Sequence, residues 1–237
     1  MRSYLLPAGV LCLGLIPASL SAQTTNDLST KVELGAIVTS GNTEDENIKY
    51  KVTVDWLRNL WEYQFTTEGF RSSKEDVLAA QRLYHVARGK RNLSAQSYWS
   101  ARVAYEDDRF SGYDYQADAT VSYGRSFLQN INTMNLTTDI GLGYRRSEST
   151  DERFSEGIIR IAAEYEWDLS ETASFIQKLS TESGKETSIY RSETGIESEI
   201  MENLALRFAV KVKHQTDVPP TREKTDTETA ITLVWSF

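Results

Sequence analysis

Residues 47–56, with the sequence NIKYKVTVDW, decide the fold. Apolar side chains stand at every second position, at Ile48, Tyr50, Val52, Val54 and Trp56, and polar or charged side chains stand between them. Successive residues of a β-strand face opposite sides of the sheet, so this alternation predicts a strand with one apolar and one charged face. A helix would mix the two sets.

The same period of two recurs along the rest of the chain. It is clear over 114–123, 134–145, 159–167, 204–213 and 230–237, and weaker over 81–92, 173–181 and 187–199. It predicts twelve strands, centred near residues 35, 52, 65, 87, 101, 120, 140, 162, 177, 193, 208 and 232. Each strand is about 9–12 residues long, which is enough to cross a bilayer when tilted. No helical segment intervenes, which argues against alternating strands and helices.

The connections between these strands alternate in length. Short ones fall near 59–60, 92–95, 129–133, 169–171 and 202–203, and longer polar ones over 41–46, 71–80, 107–113, 147–154, 182–186 and 215–225. This pattern is typical of an outer-membrane barrel with short periplasmic turns and longer extracellular loops. The sequence therefore predicts an all-β fold, a single transmembrane antiparallel up-and-down barrel of about twelve strands. An even strand number lets the first strand pair with the last, so that no sheet edge is left unpaired in lipid.

Aromatic residues are sorted between the two ends of the strands. The tryptophans stand near the short turns, at Trp56, Trp61, Trp99, Trp167 and Trp235, whereas Tyr84, Tyr105, Tyr113, Tyr115, Tyr144 and Tyr190 stand near the long loops. Two such belts are expected where amphipathic rings meet the two bilayer interfaces. The chain ends at Phe237 after alternating apolar positions, and Trp235 with Phe237 resembles the C-terminal signal that the barrel-assembly machinery of Gram-negative bacteria reads.

The first 22 residues predict an export signal. They hold one charge, Arg2, an apolar run and small residues up to Ala22, where we place the cleavage site (the alternative is after Ser21). The barrel domain is then 23–237, and the one cysteine, Cys12, leaves with the signal. The formal charge of −8 argues against a nucleic-acid partner. No later run reaches the roughly 18 apolar residues of a membrane helix.

The face opposite the apolar one is dense in charge and predicts a charged lumen. Its members are Lys49, Lys51, Asp55, Glu62, Arg102, Glu106, Asp118, Asp139, Arg145, Arg160, Glu164, Glu166, Arg191, Glu193, Glu197, Glu199, Arg207, Lys211 and Lys213. One interpretation is a lumen of paired charges and water; the other is a selective pore. The sequence does not decide between an open and a plugged lumen.

Support for catalysis, cofactors or metals is weak. The two histidines, His85 and His214, stand in no recognisable catalytic motif, and no phosphate-binding glycine motif or metal-ligand cluster is present. We expect no cofactor. Outer-membrane lipid and lipopolysaccharide, the barrel-assembly machinery and periplasmic chaperones are the expected partners. A lipase-like or protease-like barrel enzyme and a soluble periplasmic lipid-binding β protein are the alternatives to a passive channel or envelope-structural protein.

Three short elements resemble a known family. They are Ser40-Gly41-Asn42-Thr43, the stretch EDDRFSGYDY at 106–115 and the pair Tyr123-Gly124. Together they resemble the domain-of-unknown-function family described as salt-induced outer membrane proteins, over nearly the whole predicted mature chain. The resemblance implies an outer-membrane barrel linked to salt, osmotic or acid stress, and it supplies no catalytic residues.

Overall fold

Twelve strands form one closed antiparallel barrel in the computed structural model, which describes residues 26–40, 46–74, 77–108, 111–149, 152–219 and 222–237. The predicted signal peptide lies outside these residues. The strands are β1 Asn26–Ser40, β2 Glu46–Arg58, β3 Trp61–Lys74, β4 Val77–Asn92, β5 Ser97–Asp108, β6 Tyr113–Phe127, β7 Met134–Glu148, β8 Arg153–Asp168, β9 Ala173–Ser183, β10 Ser188–Met201, β11 Leu204–Gln215 and β12 Thr225–Ser236. Among the described residues, no helix is long and apolar enough to cross a bilayer.

The barrel closes by pairing its first strand with its last. The β1–β12 ladder runs from Lys31 opposite Ser236 to Ser40 opposite Thr227. Beyond it, the backbone amide of Thr30 donates to the carbonyl of Phe237 at 3.0 Å, and that of Phe237 donates back at 2.9 Å. Every strand thus has two neighbours, and the predicted fold class is confirmed.

The two ends of the barrel differ. The turn end holds Asn26, Phe237 and the connections 59–60, 93–96, 128–133, 169–172 and 202–203; the other end, the loop end, holds the remaining six connections. Strands continue further toward the loop end than the sequence predicts. The predicted loop 71–80 is mostly strand, because β3 pairs with β4 up to Lys74 opposite Val77, past a register shift at Ser72 and Ser73. Backbone ladders need no apolar alternation, so the pattern ends before the strand does.

The two faces of the wall have opposite chemistry. Ile48 and Leu142 point outward and are 75% and 69% exposed, whereas Lys49 next to Ile48 is 3% exposed inside the barrel. Burying charges and exposing aliphatic side chains inverts the pattern of a soluble protein. It is the pattern of a barrel whose outer face meets lipid.

Aromatic side chains ring the outer face near both ends. At the turn end Trp56 packs beside Tyr63, with ring centroids 5.4 Å apart, and Trp99 packs beside Tyr123 at 5.6 Å. Toward the loop end the rings of Tyr105 and Tyr115 stack at 5.7 Å. The strand positions of Trp61, Trp167 and Trp235 also place them near the turn end.

Two tyrosines assigned to the loop-end belt do not belong to it. Tyr84 faces the lumen, where its hydroxyl accepts a hydrogen bond of 2.6 Å from Arg102. Tyr113 is buried below the loops and donates to the carbonyl of Asp217 at 3.4 Å. Tyr84 has the lumen-side parity of β4, whereas Tyr113 faces inward because a register shift between β5 and β6 places it opposite Asp108.

Candidate functional site

The charged face predicted from the sequence lines the lumen, where it forms ion pairs. Lys49, Arg102, Glu106, Asp139, Arg145, Arg207 and Lys213 are buried, and Lys51, Asp118, Arg160, Arg191 and Glu193 are partly buried. Arg191 on β10 lies 2.9 Å from Glu106 on β5, which is not a neighbouring strand, so this pair crosses the lumen. Buried charges of both signs therefore compensate one another instead of contacting lipid.

Four charges form a ring in the half of the lumen nearer the loop end. Lys49 Nζ lies 3.1 Å from Glu228 and 3.4 Å from Glu68. Arg82 closes the ring, with a contact of 3.2 Å to Glu68 and an ion pair to Glu228. Each carboxylate is thus shared by two cations, which offsets the cost of removing it from water.

The ring continues along the wall through alternating charges. Lys211 Nζ lies 2.5 Å from Glu68 and 3.5 Å from Glu193. Arg207 pairs with Glu193 and lies 3.4 Å from Glu33, whose other partner is Lys51 at 3.1 Å. A network of alternating sign therefore holds β1, β2, β3, β10 and β11 in fixed relation to one another.

A second network crosses the other side of the lumen. Lys213 Nζ lies 2.8 Å from Glu106, the carboxylate that also pairs with Arg191. Arg191 in turn pairs with Glu182. Arg160 lies 3.5 Å from Glu182 and 2.8 Å from Asp139. Arg88 adds a contact of 3.5 Å to Asp139, and separately Arg102 pairs with Asp118 at 2.5 Å. The lumen is thus crossed by bridges and narrowed to the space between them.

The loops draw together around one buried arginine at the loop end. Arg145 is 2% exposed at its side chain; its guanidinium donates to Glu156 at 2.6 Å and to the carbonyl of Thr187. The Thr187 hydroxyl in turn donates to the carbonyl of Asp217 at 3.2 Å. Tyr113 reaches the same carbonyl. The β9–β10 and β11–β12 connections are therefore tied to each other and to side chains of β6, β7 and β8 over this end of the lumen.

Cavities lie between the bridges formed by the described residues. One, of about 290 Å³, lies among the ion pairs of the two networks, and another, of about 490 Å³, opens toward the turn end. Both are lined by Gln64, Arg88, Thr137 and Glu164, so they adjoin at these four residues, named here the constriction. The two cavities are therefore neighbours inside the barrel, with the constriction between them.

The turn-end cavity holds further predicted lumen residues. Glu62 accepts from Lys90 at 3.0 Å and from Asn92 at 2.5 Å, and Asp55 accepts from Gln64 at 2.8 Å. Glu166 also lines this cavity. Glu197 lies 3.9 Å from Arg207, whereas Glu199 is exposed beside a register shift of β10. The predicted lumen charges thus have lumen-side positions, and Glu199 stands opposite buried Ala205 at the turn-end rim.

A buried tyrosine narrows the turn-end cavity. Tyr98 is 1% exposed and lies flat against Gly124, where a Cβ atom would stand only 2.1 Å from Tyr98 Cζ. Lys90 lies 4.6 Å and Arg88 5.7 Å from the centre of its ring. Such cation–π contacts hold both cations beside the path. Gly124 thus has a structural role, which accounts for one member of the Tyr123-Gly124 pair.

Several lumen charges were missing from the predicted set. They are Glu33, Glu68, Arg82, Arg88, Lys90, Asp108, Glu156, Lys178, Glu182 and Glu228. Most lie on strands whose alternation is weak or near predicted loops. Counting parity outward from the clear positions of β8 would have found Glu156, because it continues the charged face of Arg160 and Glu164.

The two histidines lie apart from this path. His85 stacks on Tyr105 at 6.4 Å on the outer face, and His214 Nδ1 lies 2.8 Å from the Thr225 hydroxyl near the loop end. In the described part of the chain, no group of three or more His, Cys, Asp or Glu side chains is arranged to hold a metal ion.

Comparisons with known proteins place the barrel among outer-membrane folds. The NanC porin superposes with a TM-score of 0.60 at 8% identity, covering 86% of this chain and 98% of the porin. Outer membrane phospholipase A from Escherichia coli gives 0.56 at 9% identity, with 86% and 92% covered. An outer membrane channel from Pseudomonas putida F1 gives 0.51 at 11% identity, with 94% and 100% covered. At these identities the likeness shows a shared fold alone.

Comparison of the amino-acid sequence identifies a protein family. No curated protein matches the chain. The profile of one family, described as protein of unknown function DUF481, matches residues 32–237, which is nearly the whole barrel. The chain belongs to the DUF481 family of proteins of unknown function.

Proposed function

We propose that this protein is a passive channel of the outer membrane that passes small polar solutes. The observation that carries the proposal is the pair of adjoining cavities inside the barrel, which meet at Gln64, Arg88, Thr137 and Glu164. A path lined by charged and amide groups favours water and polar solutes over apolar ones. The apolar outer face and its aromatic rows support a place in the bilayer.

Porins and an outer membrane channel among the similar folds agree with this proposal without deciding it. The similar fold of a phospholipase is the reason for keeping a hydrolase as the alternative. It has less support, because His85 on β4 and His214 on β11 are separated by four strands around the barrel and cannot act on one site. A soluble periplasmic lipid-binding protein has still less, since the apolar residues face outward. The stress link implied by the resemblance has no counterpart among the described residues and forms no part of the proposed function.

Conductance of the refolded barrel in planar bilayers tests the proposal. Because ion pairs narrow the lumen, we expect small, discrete conductance steps. Arg88→Ala and Glu164→Ala remove side chains from the constriction and are expected to raise the step size about twofold. Lys185→Ala is the matched control, since this lysine is 89% exposed outside the path at the loop end. Absence of steps from folded protein, or an equal effect of all three variants, would contradict the channel.

Cell fractionation tests the location separately. We expect the folded chain in the outer-membrane fraction, soluble only with detergent, because its outer face is apolar. A folded pool in the periplasm without detergent would support the soluble alternative instead.

A further inference from the structure

Three polar side chains stand on the outer face of the barrel, where lipid would be expected. Gln177 on β9 and Ser192 and Thr194 on β10 have the parity opposite to Lys178 and Glu193, whose charges face the lumen. They share the face of Leu179 and Ile196, which are 49% and 48% exposed. These three residues are named the polar outer patch.

The patch is a hydrogen-bonded unit. The Thr194 hydroxyl donates to Gln177 Oε1 at 2.7 Å, and Gln177 Nε2 donates to the Ser192 hydroxyl at 3.2 Å. Gln177 faces Thr194 across the β9–β10 ladder, and Ser192 faces Leu179. Gln177 Nε2 also donates to the Lys178 carbonyl at 3.4 Å, so the unused capacity lies in the oxygen acceptor sites and the Ser192 hydroxyl proton.

The patch lies between the two aromatic rows. Moving along β9, Phe175 stands opposite Trp167, Gln177 follows, and Thr181 stands opposite Tyr190. On other strands this zone is mostly covered by exposed apolar side chains such as Ile159, Leu206 and Phe208. Lipid tails offer no hydrogen-bond partner, so amide and hydroxyl groups at this depth mark contacts between membrane proteins.

We propose that a second copy of this chain packs against the polar outer patch in the membrane. The Ser192 hydroxyl can donate and the amide and hydroxyl oxygens can accept, so the patch is complementary to itself across a two-fold axis. It carries no charge, so two copies meet without repulsion. Small Ala163 lies beside large Leu179 in the ladder, which gives each copy a recess and a projection. The inference needs a membrane-inserted barrel and does not depend on conduction.

Site-directed cross-linking in intact membranes tests this pairing. The natural cysteine, Cys12, is removed by Cys12→Ser, and Leu179→Cys then places one thiol beside the patch. With a short bis-maleimide we expect a covalent dimer. Leu142→Cys on β7 is the matched control, because this leucine is also exposed on the outer face, at 69%, but away from the patch. No dimer, or equal yields at both positions, overturns the proposal.

Sedimentation equilibrium in detergent tests the role of the hydrogen bonds. Gln177→Leu combined with Thr194→Val keeps the side-chain size and removes the polar groups. We expect the dimer to dissociate at least about tenfold more readily, in line with interhelical bonds in membranes. Thr138→Val, a lone outward hydroxyl on β7, is expected to leave association unchanged. A monomeric wild-type chain, or a dimer unaffected by the double substitution, contradicts the assignment, whatever the conductance measurements give.

Discussion

Gly124 shapes the lumen by leaving room for Tyr98. A Cβ atom at position 124 would stand 2.1 Å from Tyr98 Cζ, so Gly124→Ala must displace the buried ring. We expect the free energy of unfolding to fall by about 1–3 kcal/mol, the usual cost of overpacking a filled site. Urea titration of the refolded barrel in lipid vesicles, followed by tryptophan fluorescence, measures it.

Gly157→Ala provides the matched comparison for this substitution. The nearest atom to an added Cβ there, the carbonyl oxygen of Gly143, is 4.0 Å away, and no shift is needed. A loss of stability as large at Gly157 as at Gly124 would mean that strand glycines act through backbone entropy alone and not through Tyr98.

Arg145 gives a second prediction for single residues. With its side chain 2% exposed, Arg145 depends on Glu156 as its carboxylate partner. Glu156→Gln leaves a buried cation without an anion and is expected to cost about 3–5 kcal/mol of unfolding free energy. The same urea titration applies. Glu148→Gln, which removes the partner of exposed Arg153, is the control and should change little. Equal losses of stability from Glu156→Gln and Glu148→Gln would mean that Arg145 is in contact with water.

Alternation in the sequence predicts the lumen side of residues such as Lys49 and Arg145, but it misses Glu68 and Arg82. The reason is local. Gly69 faces outward beneath the ring of Tyr50, while Phe70 faces inward and lies 5.3 Å from the Arg82 guanidinium. A glycine on the lipid face and a phenylalanine on the lumen face break the apolar–polar alternation, although the strand itself continues.

At the scale of strands, number and order follow from the sequence, and length does not. The apolar pattern covers only the part of each strand that faces lipid. Beyond it, β3 and β4 keep their ladder to Lys74 and Val77, and the sequences there, RSSK on β3 and VLAA on β4, do not alternate between apolar and polar residues. The ends of strands at the loop end are therefore set by backbone pairing and loop contacts, which a single sequence does not display.

The last strand carries a prediction about assembly. Phe237 is 74% exposed, yet its backbone completes the pairing of β12 with β1 through two bonds to Thr30. We expect Phe237→Ser to leave the closing bonds available but to lower the amount of folded barrel in the outer membrane several-fold, because the terminal aromatic is the expected assembly signal. Heat-modifiable migration on gels reports the folded fraction. Phe237→Tyr keeps an aromatic ring and should assemble normally; an unaffected Phe237→Ser variant would rule out this role.

At the scale of the whole molecule, the amino-acid composition suggests a soluble protein, and only the barrel geometry separates the apolar face from the charged one. The mean hydropathy of −0.45 averages an apolar outside with a charged inside. The fold is predictable because the two faces alternate within one strand. The ion pairs are not, because Glu106 and Arg191 are 85 residues apart and meet only across a barrel whose register fixes their height. The polar outer patch was likewise hidden, since serine and threonine are ordinary strand residues.

Ion selectivity is the last property that belongs to the molecule as a whole. The turn-end cavity is lined by five carboxylates and only two basic side chains: Asp27, Asp55, Glu62, Glu164 and Glu166 against Arg88 and Lys90. The cavity among the ion pairs is nearly balanced, with eight basic and seven acidic side chains. Excess negative charge in the turn-end cavity attracts cations and repels anions, most strongly at low salt, where screening is weak.

We therefore expect a cation preference, measured as a reversal potential across a salt gradient. Asp55→Asn with Glu166→Gln should lower the cation-to-anion permeability ratio several-fold, whereas Lys185→Gln, a change of charge outside the path, should not. An anion preference, or a ratio that the double variant leaves unchanged, would show that another part of the lumen sets selectivity.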